Sequence, residues 1–456
     1  MLVMKFGGSI LEKSGDFIEV ADYLKVATRD ERVVTVVSAM KGVTDDLLKL
    51  GDLAASSNEE GVSQVLDAIR ERHLRVCEEL DLECRIVKEE LEKLERVVLG
   101  IAYIGEITPR LRDLIASLGE NLSGGILTEL LNKRGVRSRF FTGGEAGIVT
   151  DDSYGEANPL IKATRVYVRS RILPLLEDTV PVVAGFSGIS QEGRVTTLGR
   201  GGSDLTAVLL GSSLGSREVW LWTDVDGLLT ADPKIVKDAR LIKQISYKEA
   251  IELTHFGAKK MHPRFLEPAM MTSTPVRIRN FRNRECRGTL ISSREIISGK
   301  IVKAVGLRKG VSILTVRGAG MVGRPGTAAK LFSLLGENSL NVLMISQSIS
   351  ESDISVVLDD GQAESAKGIV EARLLGPIFR EVLLDRNCAV VAAIGSGMRG
   401  TPGVAARVFK AVSSKGVNVK MIAQGSSEVN ISFVVSEDDG EEAVRAVHEE
   451  FDLGRG

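Results

Sequence analysis

Short runs that are apolar at nearly every position, separated by stretches of helical period, organise roughly the first 295 residues of this chain. Val33-Val-Thr-Val-Val37, Val180-Pro-Val-Val-Ala184 and Val219-Trp-Leu-Trp222 lack the in-out alternation of a half-exposed strand, and this predicts central strands covered on both faces. Leu2-Val-Met-Lys-Phe6 reads as a further short buried strand. Each run gives way to Gly, Ser or Asp. Helix and strand patterns alternate throughout this region, which predicts an α/β sandwich with a mainly parallel sheet. From about Ser56 to Val98 the pattern is charged and helical, a hairpin of helices laid over the rest. Arg287-Gly-Thr-Leu-Ile291 reads as a closing strand and Ser292-Ser-Arg294 as the start of a linker, so a first domain is set at 1–295.

Beyond residue 300 the pattern repeats. Gly318-Ala-Gly-Met-Val-Gly-Arg-Pro-Gly aligns without a gap on Gly395-Ser-Gly-Met-Arg-Gly-Thr-Pro-Gly, an offset of 395 − 318 = 77 residues. Over 40 paired positions 19 are identical, including Asn341/Asn418, Gln347/Gln424 and Glu351/Glu428, which makes these two copies of one unit. Each copy reads as strand, Pro-Gly turn, helix, then a strand with Val-x-Met-Ile and a hairpin into a third. The copies are set at 300–380 and 385–456, with the C-terminal tail as a candidate last strand of the first.

Composition narrows the class. Lys and Arg number 59 and Asp and Glu 61, a net charge of -2, so no basic bias points to nucleic acid or an anionic membrane. No apolar run approaches the roughly 20 residues of a membrane span, and the first residues do not read as a secretory leader. A cytoplasmic enzyme is expected. Cys77, Cys84, Cys286 and Cys388 are scattered without a C-x-x-C pair, and this predicts neither a disulfide framework nor a zinc site.

The candidate chemistry is anion binding. Thr196-Thr-Leu-Gly-Arg-Gly-Gly-Ser-Asp204 has three glycines, one arginine and one aspartate where a helix should begin, so backbone N–H groups and a helix N-terminus can face phosphate or carboxylate oxygens. Lys5 stands in a buried strand just before Gly7-Gly8-Ser9, where a charge is costly unless it meets an anion. Trp222-Thr-Asp-Val-Asp-Gly227 follows its strand directly, and ligands of open α/β sheets bind outside the carboxyl ends of strands.

With Val37-Ser-Ala-Met-Lys-Gly-Val-Thr-Asp45, Leu118-Gly-Glu-Asn-Leu-Ser123, Thr150-Asp-Asp152 and Phe256-Gly-Ala-Lys-Lys-Met-His-Pro263, these motifs resemble aspartate kinase over essentially the whole chain. The resemblance implies an amino-acid-kinase-type αβα sandwich followed by two ACT-like βαββαβ modules, ferredoxin-like sensors of small molecules. It implies ATP-dependent phosphorylation of the β-carboxylate of L-aspartate, the first step toward lysine, threonine, methionine and isoleucine, with Mg2+ carried on ATP and no protein ligands assigned to the metal. Lys5, Asp204 and Arg200 are implied as catalytic. Thr44, Ser38, Glu120, Arg200, Gly201, Gly202 and Ser203 fall to aspartate, with Arg200 on its α-carboxylate and Glu120 on its ammonium. The nucleotide takes Lys5, Gly7, Gly8, Ser9, Thr223, Asp224, Leu229, Lys234 and Lys259. Gln347, Gln424, Asn341 and Asn418 are implied for an amino-acid effector, threonine first and lysine second, with a homodimer or higher homo-oligomer formed through the ACT-like modules.

Four positions depart from the family pattern. Ser9 replaces Thr, Asn121 replaces an Arg after Glu120, Leu229 stands where a nucleotide-stacking Tyr is frequent, and Lys234 replaces an Arg. His262 is expected to be structural. No dehydrogenase region is expected within these 456 residues. Another carboxylate kinase of the same fold and a non-catalytic sensor subunit are the competing readings. The first lacks paired sensors and Val-Ser-Ala-Met, and the second should have lost Lys5, Arg200 or Asp204.

Overall fold

The computed structural model describes residues 1–256, 263–294 and 300–455 and divides into two compact units. The first holds residues 1–228, 243–247 and 263–294. Its eight-stranded sheet has the order Ser138–Phe141, Val180–Ala184, Val33–Val37, Leu2–Phe6, Glu218–Thr223, Val276–Asn280, Thr289–Ser292 and Gln244–Ser246. The first six are mutually parallel. Thr289–Ser292 runs antiparallel to Val276–Asn280 and parallel to Gln244–Ser246.

Both faces are covered, as the apolar runs require. On one face Leu2, Met4, Phe6 and Trp222 join a core with helices Ser14–Asp30, Val43–Ala55 and Pro109–Lys133. On the other, helix Gly202–Leu214 lies against Val3 and Val219, and a Cβ on Gly211 would collide with Val219. A three-stranded sheet of Val149–Thr150, Ser187–Ser190 and Val195–Thr197 leads into the glycine-rich loop. The charged stretch forms helices Glu59–Glu79 and Arg85–Ile104, whose Ile69, Val76, Leu91, Leu94 and Val98 enter the first core.

One expectation is overturned here: Cys77 and Cys84 form a disulfide. Helix Glu59–Glu79 stops, the chain reverses through Asp81 at φ 50°, and Cys84 at φ 51° precedes the next helix. This turn brings the two Cα atoms to 6.0 Å, within reach of a bridge. Cys286 and Cys388 are free thiols.

The second unit holds residues 229–242, 248–256 and 300–455. Its six-stranded sheet has the order Met344–Gln347, Asp353–Asp359, Ala304–Arg317, Glu381–Ile394, Asn430–Ser436 and Met421–Ala423. The two central strands, 14 residues each, are shared by both repeats. Val311–Arg317 and Glu381–Asp385 build the first repeat with Asp353–Asp359. Ala304–Arg308 and Cys388–Ile394 build the second with Asn430–Ser436. The second repeat is therefore closed by a strand that precedes the first, and the C-terminal segment forms helix Gly440–Glu450 rather than a last strand for the first. No helix among the described residues is long and apolar enough to cross a membrane.

Candidate active site

Parallel pairing sets the site before any side chain is considered. Phe6, Val37, Ala184 and Thr223 end neighbouring strands, and backbone bonds tie these ends together: Gly7 N–H to Trp222 C=O (3.4 Å), Ser38 N–H to Phe6 C=O (3.1 Å) and Gly185 N–H to Val37 C=O (3.0 Å). Glycine is needed where these turns touch. A Cβ on Gly8 would stand 2.7 Å from the Ala39 carbonyl oxygen, and one on Gly185 2.7 Å from Ser203 Cβ.

Alternation along Leu2–Phe6 sends Lys5 to the face of helix Gly202–Leu214, opposite Met4 and Phe6. Its ammonium meets Asp204 Oδ1 at 2.6 Å, with side chains 13% and 9% exposed. Asp204 lies in the first turn of that helix, where an anionic side chain is favoured. A Cβ on Gly7 would stand 3.4 Å from Lys5 Nζ, so the ammonium lies over the glycine turn. Helix Gly202–Leu214 starts from Gly201 at φ 72°, which an L side chain adopts only with strain, and Gly199 is left-handed as well at φ 73°.

Glu120 is the next ionisable side chain in this group. It is 3% exposed on helix Pro109–Lys133. Burial pushes its carboxyl up to about 8, against the opposing pull of the Ala39 backbone N–H and the Lys5 charge. Its Oε2 has no hydrogen-bond partner among the described residues. A buried carboxylate oxygen without a donor is suited to an incoming ammonium. Asn121 Nδ2 donates to Glu90 Oε2 at 3.1 Å, which connects the helical hairpin to the residue beside Glu120.

Arg200 is exposed and has no ion-pair partner among the described residues, a guanidinium available to an anion. Ser38 and Thr44 are half-buried, and Ser203 is 8% exposed. Ser9 and Thr223 are half-buried around the same strand ends, and Thr223 Oγ1 donates to Asp224 Oδ1 at 3.1 Å. The first unit thus brings together Lys5, Gly7, Gly8, Ser38, Glu120 and the 199–204 loop. Leu229 and Lys234 belong to the second unit, where Leu229 bridges to Leu241 and Lys234 N–H donates to Asp232 Oδ1 at 2.9 Å. Lys259 and His262 lie outside the described residues.

Two residues that no motif marks hold the glycine-rich loop. Asp113, 2% exposed, accepts from Thr197 N–H (2.7 Å), Thr197 Oγ1 (2.8 Å) and Gly155 N–H (3.0 Å). Arg264 donates to the carbonyl oxygens of Leu198 (3.3 Å) and Ala157 (3.0 Å). The available signal was the seven-residue spacing of Asp113 and Glu120, which puts both on one side of a helix.

In the second unit Gln347, Gln424, Asn341 and Asn418 are all exposed. Gln347 lines a cavity of about 660 Å³ whose wall includes Thr315, Ser346, Ser355, Asp385 and Lys420. No group of three or more His, Cys, Asp or Glu among the described residues is arranged to hold a metal ion.

Comparison with known proteins agrees with this architecture. Residues 1–280 match the amino acid kinase family, and residues 314–374 and 391–451 match an ACT domain. Aspartokinase 1, chloroplastic, of Arabidopsis thaliana is 37% identical over 460 residues, 98% of this chain and 80% of that protein. Among solved structures, E. coli aspartokinase III in complex with aspartate and ADP (R-state) superposes with a TM-score of 0.83 at 30% identity, covering 99% of this chain and all of that one. The same enzyme with lysine and aspartate (T-state) gives 0.80 at 31%, covering 99% of each chain. A kinase of the amino acid kinase fold with tandem ACT domains is thereby defined. The chain belongs to the aspartokinase family.

Proposed function

We propose that this kinase transfers the γ-phosphoryl group of Mg·ATP to the β-carboxylate of L-aspartate. The observation that carries this reading is the Lys5 ammonium, held at 2.6 Å by Asp204 over the Gly7 turn, with buried Glu120 in its field. The aspartate and ADP bound to E. coli aspartokinase III support the same pair of reactants here.

A carboxylate nucleophile is already ionised near neutral pH, so no general base is required. One β-carboxylate oxygen forms a bond to the γ-phosphorus. The bond from that phosphorus to the β,γ-bridging oxygen breaks, and ADP leaves with the electron pair. The barrier is largely electrostatic, because two anions must meet in line while charge spreads over the transferring oxygens. Lys5 lies between them, and Asp204 fixes its ammonium. Arg200 takes the α-carboxylate with its planar fork, Glu120 takes the ammonium, and Ser38, Thr44 and Ser203 donate to the remaining oxygens. Gly7, Gly8, Ser9, Thr223 and Asp224 are assigned to the nucleotide, and Leu229, Lys234 and Lys259 are assigned by their motifs alone.

The repeats serve as feedback sensors for threonine or lysine. The lysine bound to the T-state E. coli enzyme supports an amino-acid effector, which the repeat motifs assign to Gln347 and Gln424. A homodimer is proposed through the sheet edges, where Ile345 and Ile422 are 49% and 47% exposed at matching repeat positions. The cytoplasmic reading rests on the sequence, and the plant relative is chloroplastic.

An ADP-release assay over a panel of amino acids tests the activity, with hydroxylamine trapping of the acyl phosphate. Aspartate should be the preferred acceptor, and threonine or lysine should inhibit. No ADP release with aspartate would refute the reading.

A further inference from the structure

The loop that carries Arg200 is gripped from two sides. Segments 155–157 and 197–198 run alongside each other, joined by the Ala157 N–H to Thr197 C=O bond at 2.9 Å. At one end the Asp113 carboxylate bridges two N–H donors, one from each segment: Gly155 at 3.0 Å and Thr197 at 2.7 Å. At the other the Arg264 guanidinium bridges two carbonyl oxygens, one from each segment: Ala157 at 3.0 Å and Leu198 at 3.3 Å. An anion therefore holds the donors and a cation holds the acceptors. A Cβ on Gly199 would approach Glu156 Cγ to 2.8 Å, so the pair of segments is already in close contact at the loop entry.

Asp113 shares helix Pro109–Lys133 with Glu120, two turns and about 10 Å along one side of it. The anchor of the Arg200 loop and the acceptor for the substrate ammonium thus stand on one rigid element. We propose that Asp113 and Arg264 are positioning residues that set the distance between Arg200 and Glu120, and with it recognition of the two ends of an α-amino acid substrate. This rests on the reading that Arg200 binds the substrate α-carboxylate. Neither residue touches substrate in this account. Gly199, Gly201 and Gly202 lack side chains to pack, so beyond the backbone bonds of Leu198 N–H to Phe186 C=O at 2.8 Å and Gly202 N–H to Gly199 C=O at 3.0 Å, these two side chains fix the loop entry.

The test is steady-state kinetics of the full-length protein bearing Asp113→Asn, Arg264→Met, Arg264→Lys or Arg200→Met, with both substrates varied. Asp113→Asn and Arg264→Met should raise KM for aspartate by roughly tenfold to a hundredfold, the cost of an ångström-scale misplacement. KM for ATP should stay within about twofold, and Arg264→Lys should recover part of the loss. A merely structural role would move both KM values together or neither. If Arg200→Met raises KM for aspartate while the other variants leave it unchanged, the clamp is wrong and the Arg200 reading stands. If Arg200→Met itself leaves it unchanged, the Arg200 reading fails. Should Asp113→Asn not fold, Thr197→Val removes only the hydroxyl's bonds to Asp113 Oδ1 at 2.8 Å and to the Gly155 carbonyl at 3.4 Å, at near-constant volume. Amide exchange at 198–202 should then accelerate in Thr197→Val and Arg264→Met, and unchanged exchange in both would overturn the proposal.

Discussion

Glu351 accepts a hydrogen bond from the Gly323 N–H at 2.8 Å, and 77 residues later Glu428 accepts one from Gly400 at 2.7 Å. All four residues are left-handed, with φ of 54°, 65°, 54° and 64° in that order. Each carboxylate crosses from the strand hairpin to the turn before its module's helix, which gives the Glu of the repeated Gln-x-x-Ser-Glu a physical task. Because an ionised acceptor strengthens such a bond, Glu351→Ala and Glu428→Ala should each speed amide exchange at the paired glycine by roughly tenfold. The other module should keep its exchange rates, and basal turnover should hold. Hydrogen exchange read by NMR or mass spectrometry decides it; unaltered exchange at Gly323 and Gly400 would show the bonds to be incidental.

Replacement of Lys5 removes the ammonium that the structure fixes over the Gly7 turn. Lys5→Ala should lower kcat by about 100- to 1000-fold, the usual effect of losing a positioned donor to developing charge. Asp204→Asn keeps the ammonium but not its ionic partner and should cost less. Single-turnover ADP formation measures both. Turnover of Lys5→Ala at the native rate would remove the lysine from the mechanism.

Glu120 makes substrate binding pH-dependent, with a sign that follows from its raised pKa. Burial lifts the carboxyl to about 8, so it is protonated at pH 6.5 and becomes an anion above pH 8. Ammonium binding needs the anion, hence KM for aspartate should fall as pH rises from 6.5 toward 9. Stability of the ligand-free protein runs the other way. The folded state holds this proton where the unfolded state, with the ordinary value of 4.5, has lost it, so the contribution is full below 4.5 and is lost as pH rises through 8. Glu120→Gln should flatten both profiles and raise KM by roughly tenfold or more, as a neutral amide offers no charge. A KM profile with the same slope in Glu120→Gln would place the titrating group elsewhere.

The parts of the fold visible in the sequence are those fixed by local period. Val33–Val37, apolar but for the buried Thr35, and Val180–Ala184, apolar throughout, are interior strands of the sheet for that reason. Ser138–Phe141 and Gln244–Ser246 are short, partly polar and sit at its edges, so no periodic signal separates them from loop. The exchange of Ala304–Arg308 into the second repeat is equally hidden, because its partner Cys388–Ile394 lies some 80 residues on and only long-range pairing selects it. In the site, Lys5, Glu120 and Asp204 are legible through their glycine-bearing motifs. Asp113 is not: it holds backbone N–H groups and one hydroxyl, contacts that leave no paired residue type to recognise. Ser9, Asn121 and Lys234 depart from the family pattern, and nothing in the structure explains Ser9 or Lys234.

The Cys77–Cys84 bridge gives the helical hairpin a stability term that the spacing of the cysteines does not disclose. It closes a loop of about eight residues, and a loop of that size restricts the unfolded chain by about 2.5 kcal/mol in the chain-entropy account. The same turn is held without the bridge. Lys133 Nζ donates to the Leu80 carbonyl at 3.1 Å and to the Asp81 carboxylate at 2.7 Å, and Cys84 N–H donates to Glu129 Oε1 at 2.8 Å. Reduction should therefore loosen the hairpin without detaching it from helix Pro109–Lys133. We expect dithiothreitol, or the double variant Cys77→Ser and Cys84→Ser, to lower the urea midpoint while KM for aspartate stays within about twofold, since the bridge is remote in sequence from Glu120 and touches no assigned substrate residue. Equilibrium unfolding with and without reductant measures the first quantity and steady-state kinetics the second. Equal midpoints would mean that Lys133 and Glu129 carry the turn alone. A rise in KM under reduction would mean that the hairpin reaches the substrate through the hydrogen bond from Asn121 to Glu90, which links it to the neighbour of Glu120.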